Sequence, residues 1–162
     1  MRATGTAAAL VAALAGALLL VQPGGVLARR VLATVPYSLS GGAPTVVGKL
    51  EPGGQILVDW TISEKGAPTG RAYGACAIVA VAPGGAARAL CQLHFEWDGG
   101  ASVMYVQGTL THSAGGPLSG RLAVLGGIGR WQGAHGEDGD FSYDGKAGGG
   151  GKIVLNCLDG VC

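Results

Sequence analysis

The 162-residue chain predicts a single all-β domain, a closed antiparallel meander of eight or nine short strands. Two observations carry this. Apolar residues alternate with polar ones along several segments, and glycine and proline break those segments at short intervals. No long stretch repeats its apolar residues at the 3.6-residue period of a helix.

The clearest alternation runs from Arg88 to Trp97. Ala89, Cys91, Leu93, Phe95 and Trp97 fall on one face and Arg88, Gln92, His94 and Glu96 on the other, with Leu90 as the exception. A period of two over this length places one face on a core and one in water. Ile56, Val58, Trp60 and Ile62 form a second stripe, backed by Asp59, Thr61 and Ser63. Further strands are expected at Val31–Ser38, Thr45–Lys49, Tyr73–Val81, Ser102–Thr111, Ser119–Leu125, Gly136–Tyr143 and Lys152–Cys157. Closing such a meander removes its exposed sheet edges. Ala82-Pro83-Gly84-Gly85 and Asp98-Gly99-Gly100 read as hairpin turns, and Gly148–Gly151 as a flexible connection.

The domain is expected to begin after a signal peptide. Arg2, the apolar run Ala7–Val21 and the small-residue stretch ending at Ala28 have the form of a secretory leader over residues 1–28, leaving 29–162 as the barrel domain. The apolar run is shorter than the ~20 residues of a spanning helix. Removing Arg2 from eleven basic residues leaves ten, against ten acidic ones. A balance so near zero gives no field for nucleic acid, and no membrane association is expected after cleavage.

Four cysteines, Cys76, Cys91, Cys157 and Cys162, suit an oxidising compartment. Three pairings are open. Extending the Ala82–Gly85 hairpin symmetrically sets Cys76 opposite Cys91, and the Asp159-Gly160 turn brings Cys162 back toward Cys157. Neither pair has the spacing of a zinc knuckle.

Other chemistries fail on particular residues. Gly127-Ile128-Gly129 has Gln132 where a dinucleotide fingerprint needs glycine, and Ile153 follows Lys152 where a phosphate loop needs serine or threonine. The acidic run Glu137–Asp144 has Tyr143 and Gly149 where a calcium loop needs glycine and glutamate, and is expected to be a solvated strand edge. No Gly-x-Ser-x-Gly elbow is present. No metal and no cofactor are expected. Of the three histidines, His135 stands out, following Trp131 at a glycine-rich corner.

The stretch Gly126-Gly127-Ile128-Gly129-Arg130-Trp131-Gln132-Gly133-Ala134-His135-Gly136 resembles a hallmark of the dirigent and allene oxide cyclase barrels. Leu39–Val47 and Gly70-Arg71-Ala72-Tyr73-Gly74 resemble dirigent segments, while Val106-Gln107-Gly108 and Gly74-Ala75-Cys76 are equally cyclase-like. Together these motifs run in the right order from about Leu32 to Asn156, and lie closer to dirigent proteins. The resemblance implies an eight-stranded antiparallel up-and-down barrel with an apolar cavity, assembled as a homotrimer or dimer. Dirigent proteins steer the coupling of phenoxy radicals made by a separate oxidase. Allene oxide cyclases close an unstable fatty-acid epoxide. Both hold a reactive molecule in one conformer, which is catalysis by positioning.

The chain departs from both families. Tyr37 stands where dirigent proteins carry an aspartate, and His135 where they carry an arginine. The function implied is a secreted, extracellular (in a plant, apoplastic) protein that binds a small apolar or phenolic molecule and directs its stereoselective coupling, an auxiliary rather than a stand-alone enzyme. Tyr37, His135 and Asp59 are its expected catalytic groups, and Trp131, Tyr73, Tyr105 and Phe95 its expected ligand contacts. A cyclase or isomerase acting on a lipid-like substrate and a non-catalytic secreted binder are the alternatives.

Overall fold

The computed structural model describes residues 31–113 and 116–156. Nine strands follow one another: β1 Val31–Gly41, β2 Thr45–Val47, β3 Gln55–Glu64, β4 Ala67–Val81, β5 Ala87–Trp97, β6 Ser102–His112, β7 Leu118–Ile128, β8 His135–Asp144 and β9 Gly148–Asn156. From β3 to β9 each strand pairs antiparallel with the next. β1 then pairs with β9 along one edge and with the second half of β3 along the other. This closes an eight-stranded antiparallel barrel, and β2 lies outside the ring on the first half of β3.

The stripes read from the sequence face inward. β3 buries Ile56, Val58, Trp60 and Ile62, and β5 buries every second residue from Ala87 to Trp97 while Leu90 points out. Side chains fill the barrel. Trp60, Phe95, Trp97, Phe141 and Tyr143 are all fully buried, and Trp60 packs against Tyr143 with ring centroids 4.3 Å apart. At this end Trp60 Nε1 donates to Gly42 O at 3.2 Å, and Tyr143 Oη donates to Gly41 O at 2.9 Å.

Three expectations are corrected here. Gly148–Gly151 is not a flexible connection but the first half of β9, paired with both β8 and β1. Neighbouring backbone approaches so closely that a Cβ on Gly149 would stand 2.1 Å from Ser142 O. β1 also runs on to Gly41, and β4 begins at Ala67 rather than Tyr73.

Cys76 and Cys91 are directly opposed across β4 and β5 and form a disulfide inside the barrel. Such a bridge fits an oxidising compartment. Among the described residues no helix is long and apolar enough to cross a membrane. Cys157, Cys162 and the expected leader lie outside the described residues. Replacing both bridged cysteines, Cys76→Ala with Cys91→Ala, is expected to lower the unfolding free energy by about 3 kcal/mol, as for loops of this size. Urea denaturation without reductant measures it, and an unchanged midpoint would show that the bridge adds nothing to stability.

Candidate functional site

A carboxylate sits inside this apolar barrel. Asp138 is 1% exposed and accepts a short hydrogen bond from the buried Tyr37 hydroxyl. The backbone N–H of Asp140 donates to its other oxygen at 3.2 Å. Tyr37 comes from the middle of β1 and Asp138 from β8, and Gly151 of β9 makes room for the pair. A Cβ at Gly151 would lie 2.5 Å from Asp138 Oδ2 and 2.9 Å from Tyr37 Oη.

Asp138 overturns the expectation that the whole acidic run is a solvated edge. Counting back by twos from Tyr143 and Phe141, which face inward, would turn Gly139 and Glu137 into the barrel. Instead β8 carries a bulge. Leu122 pairs with Asp138 and Gly120 with Phe141, so Gly139 and Asp140 together stand opposite Arg121. The extra residue reverses the alternation and points Asp138 inward.

Burial raises the Asp138 carboxyl above its ordinary value of 3.8, against the lowering effect of hydrogen bonds from Tyr37 and from the backbone at Asp140 and Lys152. Burial first, and then the adjacent Asp138 charge, push the Tyr37 phenol well above its ordinary value of 10.0. Tyr37 is thus a proton donor in a hydrogen bond and not a base. Asp138 takes up a proton more readily than an exposed aspartate.

Aromatic rings lead from this pair to one end of the barrel. Tyr37 meets Phe95 edge-on at 5.2 Å, Phe95 lies 6.2 Å from Trp97, and Trp97 lies 5.1 Å from Trp131. Trp131 belongs to a 3₁₀ turn, Gly129–Trp131, between β7 and β8. The glycines of the motif seat it there. A Cβ on Gly127 would stand 2.6 Å from Trp131 Cβ, and Gly129, at φ +63°, lies against Ala101 O and Ser102.

The other expected site residues lie elsewhere. His135 is exposed, and its pairing with Asn156 puts it on the outer face of β8. Asp59 is also exposed and forms an ion pair with Arg71 at 2.7 Å, whose hydrogen bond holds its carboxyl below the usual range. Tyr73 and Tyr105 flank His94 edge-on at 5.3 and 5.2 Å on the outside of the barrel, so neither lines the interior. Tyr37, Phe95 and Trp131 are therefore brought together; His135, Asp59, Tyr73 and Tyr105 are not among them. Asp59, Arg71, Tyr73, Gln92 and His94 instead border an outer groove of about 710 Å³, walled on one side by Gly42, Ala43 and Thr45.

Comparison with known proteins adds one finding to this geometry. No family profile and no curated protein matches the chain. Among solved structures it is similar to a pyocyanin demethylase, with a TM-score of 0.61 and 21% identity over 76% of this chain and 100% of that one. The likeness is one of fold.

The buried pair has a pH signature. Because the folded state raises the Asp138 pKa, its contribution to stability is fully present below the ordinary value of 3.8 and is lost as pH rises through the raised value. Asp138→Asn keeps an acceptor for Tyr37 without the charge. Relative to the native chain, this variant is expected to gain stability between about pH 4 and about pH 7. Tyr37→Phe removes the donor from a buried carboxylate and is expected to cost about 1–3 kcal/mol at neutral pH, and less in acid. Denaturant midpoints across this range test both, and parallel curves for all three proteins would refute the assignment.

Proposed function

We propose that this protein is a secreted, dirigent-like barrel that admits a small planar, apolar or phenolic molecule and fixes its orientation while it reacts. The observation that supports the reading best is the Tyr37–Asp138 pair, an ionisable couple kept inside an apolar barrel at a desolvation cost that packing alone does not require. The fold neighbour acts on a small molecule, as its name states, which agrees with a guest of that size.

In this proposal the guest passes the Trp131 end. Trp131 stands on a turn and not in a strand, so moving its ring breaks no ladder hydrogen bond. The interior is filled by side chains, so the Trp131 ring must swing aside to make the room, and Phe95 and Trp97 then supply flat apolar walls. Tyr37 turns its one hydroxyl hydrogen from Asp138 to a guest oxygen, and the Asp138 carboxylate so freed accepts the proton that an acidified phenol or enol gives up. Holding the guest in one pose lets one of its faces react, without a protein nucleophile. His135 and Asp59, on the outer face, take no part.

A cyclase or isomerase is the second reading, favoured by the raised Asp138 pKa, which suits a group that both takes and returns a proton. One assay separates the two. With a laccase-type oxidase and coniferyl alcohol, the native protein is expected to give an enantiomeric excess of the coupled product on chiral chromatography. Tyr37→Phe and Asp138→Asn are expected to abolish that excess, and His135→Ala to leave it intact. A racemic product from the native protein would overturn the dirigent reading, and conversion of a candidate substrate without oxidant would favour the cyclase.

The same reading extends to assembly between copies. Leu90, Tyr105 and Leu125 are exposed on the outer faces of β5, β6 and β7. Exposed apolar side chains spread over neighbouring strands mark a contact surface. Leu90→Glu with Leu125→Glu is expected to convert a dimer or trimer to monomer in light scattering. An unchanged mass would place the contact elsewhere, and a monomeric native protein would refute assembly.

A further inference from the structure

We infer that the Trp131 end of the barrel selects its guest by an acceptor oxygen on a conjugated ring, through the indole N–H groups of Trp97 and Trp131 with Arg130 as the charge beside them. This rests on the proposed guest-binding role and names the guest's chemistry.

The three tryptophans of the chain are not treated alike by the fold. Trp60 Nε1 is paired, donating to Gly42 O at 3.2 Å. Trp97 and Trp131 are 0% and 8% exposed, and their Nε1 atoms are buried with no hydrogen-bond partner among the described residues. A buried donor left unpaired is costly, and the fold avoids that cost at the opposite end of the same barrel. Both unpaired donors belong to rings in contact with each other, 5.1 Å apart and tilted by 55°.

Arg130 completes the set. Its guanidinium lies 4.6 Å from the Trp131 ring centroid and 5.2 Å from that of Trp97. Glu64 holds it at 3.2 Å, and Asp98 approaches to 4.0 Å. Its backbone N–H donates to Ser102 Oγ at 3.4 Å. Two indole donors, one at the end of β5 and one on the glycine turn, with a cation stacked on both rings, suit a flat ligand carrying a carbonyl, phenolate or carboxylate oxygen. A bare hydrocarbon would leave both donors as they are, and a cationic guest would meet Arg130.

The test uses the folded protein with indole-¹⁵N-labelled tryptophan and three probes: 2-naphthoate, 2-acetylnaphthalene and naphthalene. The oxygen-bearing probes are expected to move the Trp97 and Trp131 N–H resonances downfield and leave that of Trp60 in place. Trp131→Phe, which keeps a ring and loses the donor, is expected to weaken 2-naphthoate about tenfold while naphthalene changes less than about twofold. Equal binding of all three probes, or naphthoate binding that leaves both resonances unmoved, would overturn the inference and spare the guest-binding barrel. Failure of every probe to bind would remove both.

Discussion

Closure of β1 against β9 on one side and β3 on the other is the constraint from which the rest follows. Once the ring is shut, every second residue of eight strands points into a single interior, and whatever stands there must be apolar, paired or functional. The disulfide, the packed aromatic side chains and the Tyr37–Asp138 pair are three different answers to that demand. Among the described residues only the last places a carboxyl there, and it does so by matching a phenol on β1 to a carboxyl on β8.

Much of the fold was legible because the alternation is unbroken where it matters. β3 and β5 show clean two-residue periods, and the Ala82–Gly85 turn fixes the register that brings Cys76 to Cys91. The site was less legible, because it depends on a break in the same rule. A bulge at Gly139–Asp140 inverts β8, and nothing in an acidic run bounded by glycines separates one carboxylate bound for the interior from its solvated neighbours. Tyr73 and Tyr105 illustrate the converse. Aromatic character alone suggested ligand contact, yet their strand parity sends both outward beside His94.

The Gly-Gly-x-Gly motif was visible at once, but its physical role was not. Its glycines let a turn fold tightly enough to lay Trp131 against Trp97 and stack Arg130 on both. The end of the barrel is thus shaped by residues that have no side chain of their own.

The short β2 strand has a consequence of its own. β1 covers only the Trp60–Ser63 half of β3, and β2 supplies hydrogen bonds to the Gln55–Leu57 half. Three residues act as a guard rail along a stretch of β3 that ring closure leaves bare. A protease nick that released β2 would uncover a template for strand addition, and the barrel's resistance to amyloid-like stacking depends on that small segment staying in place.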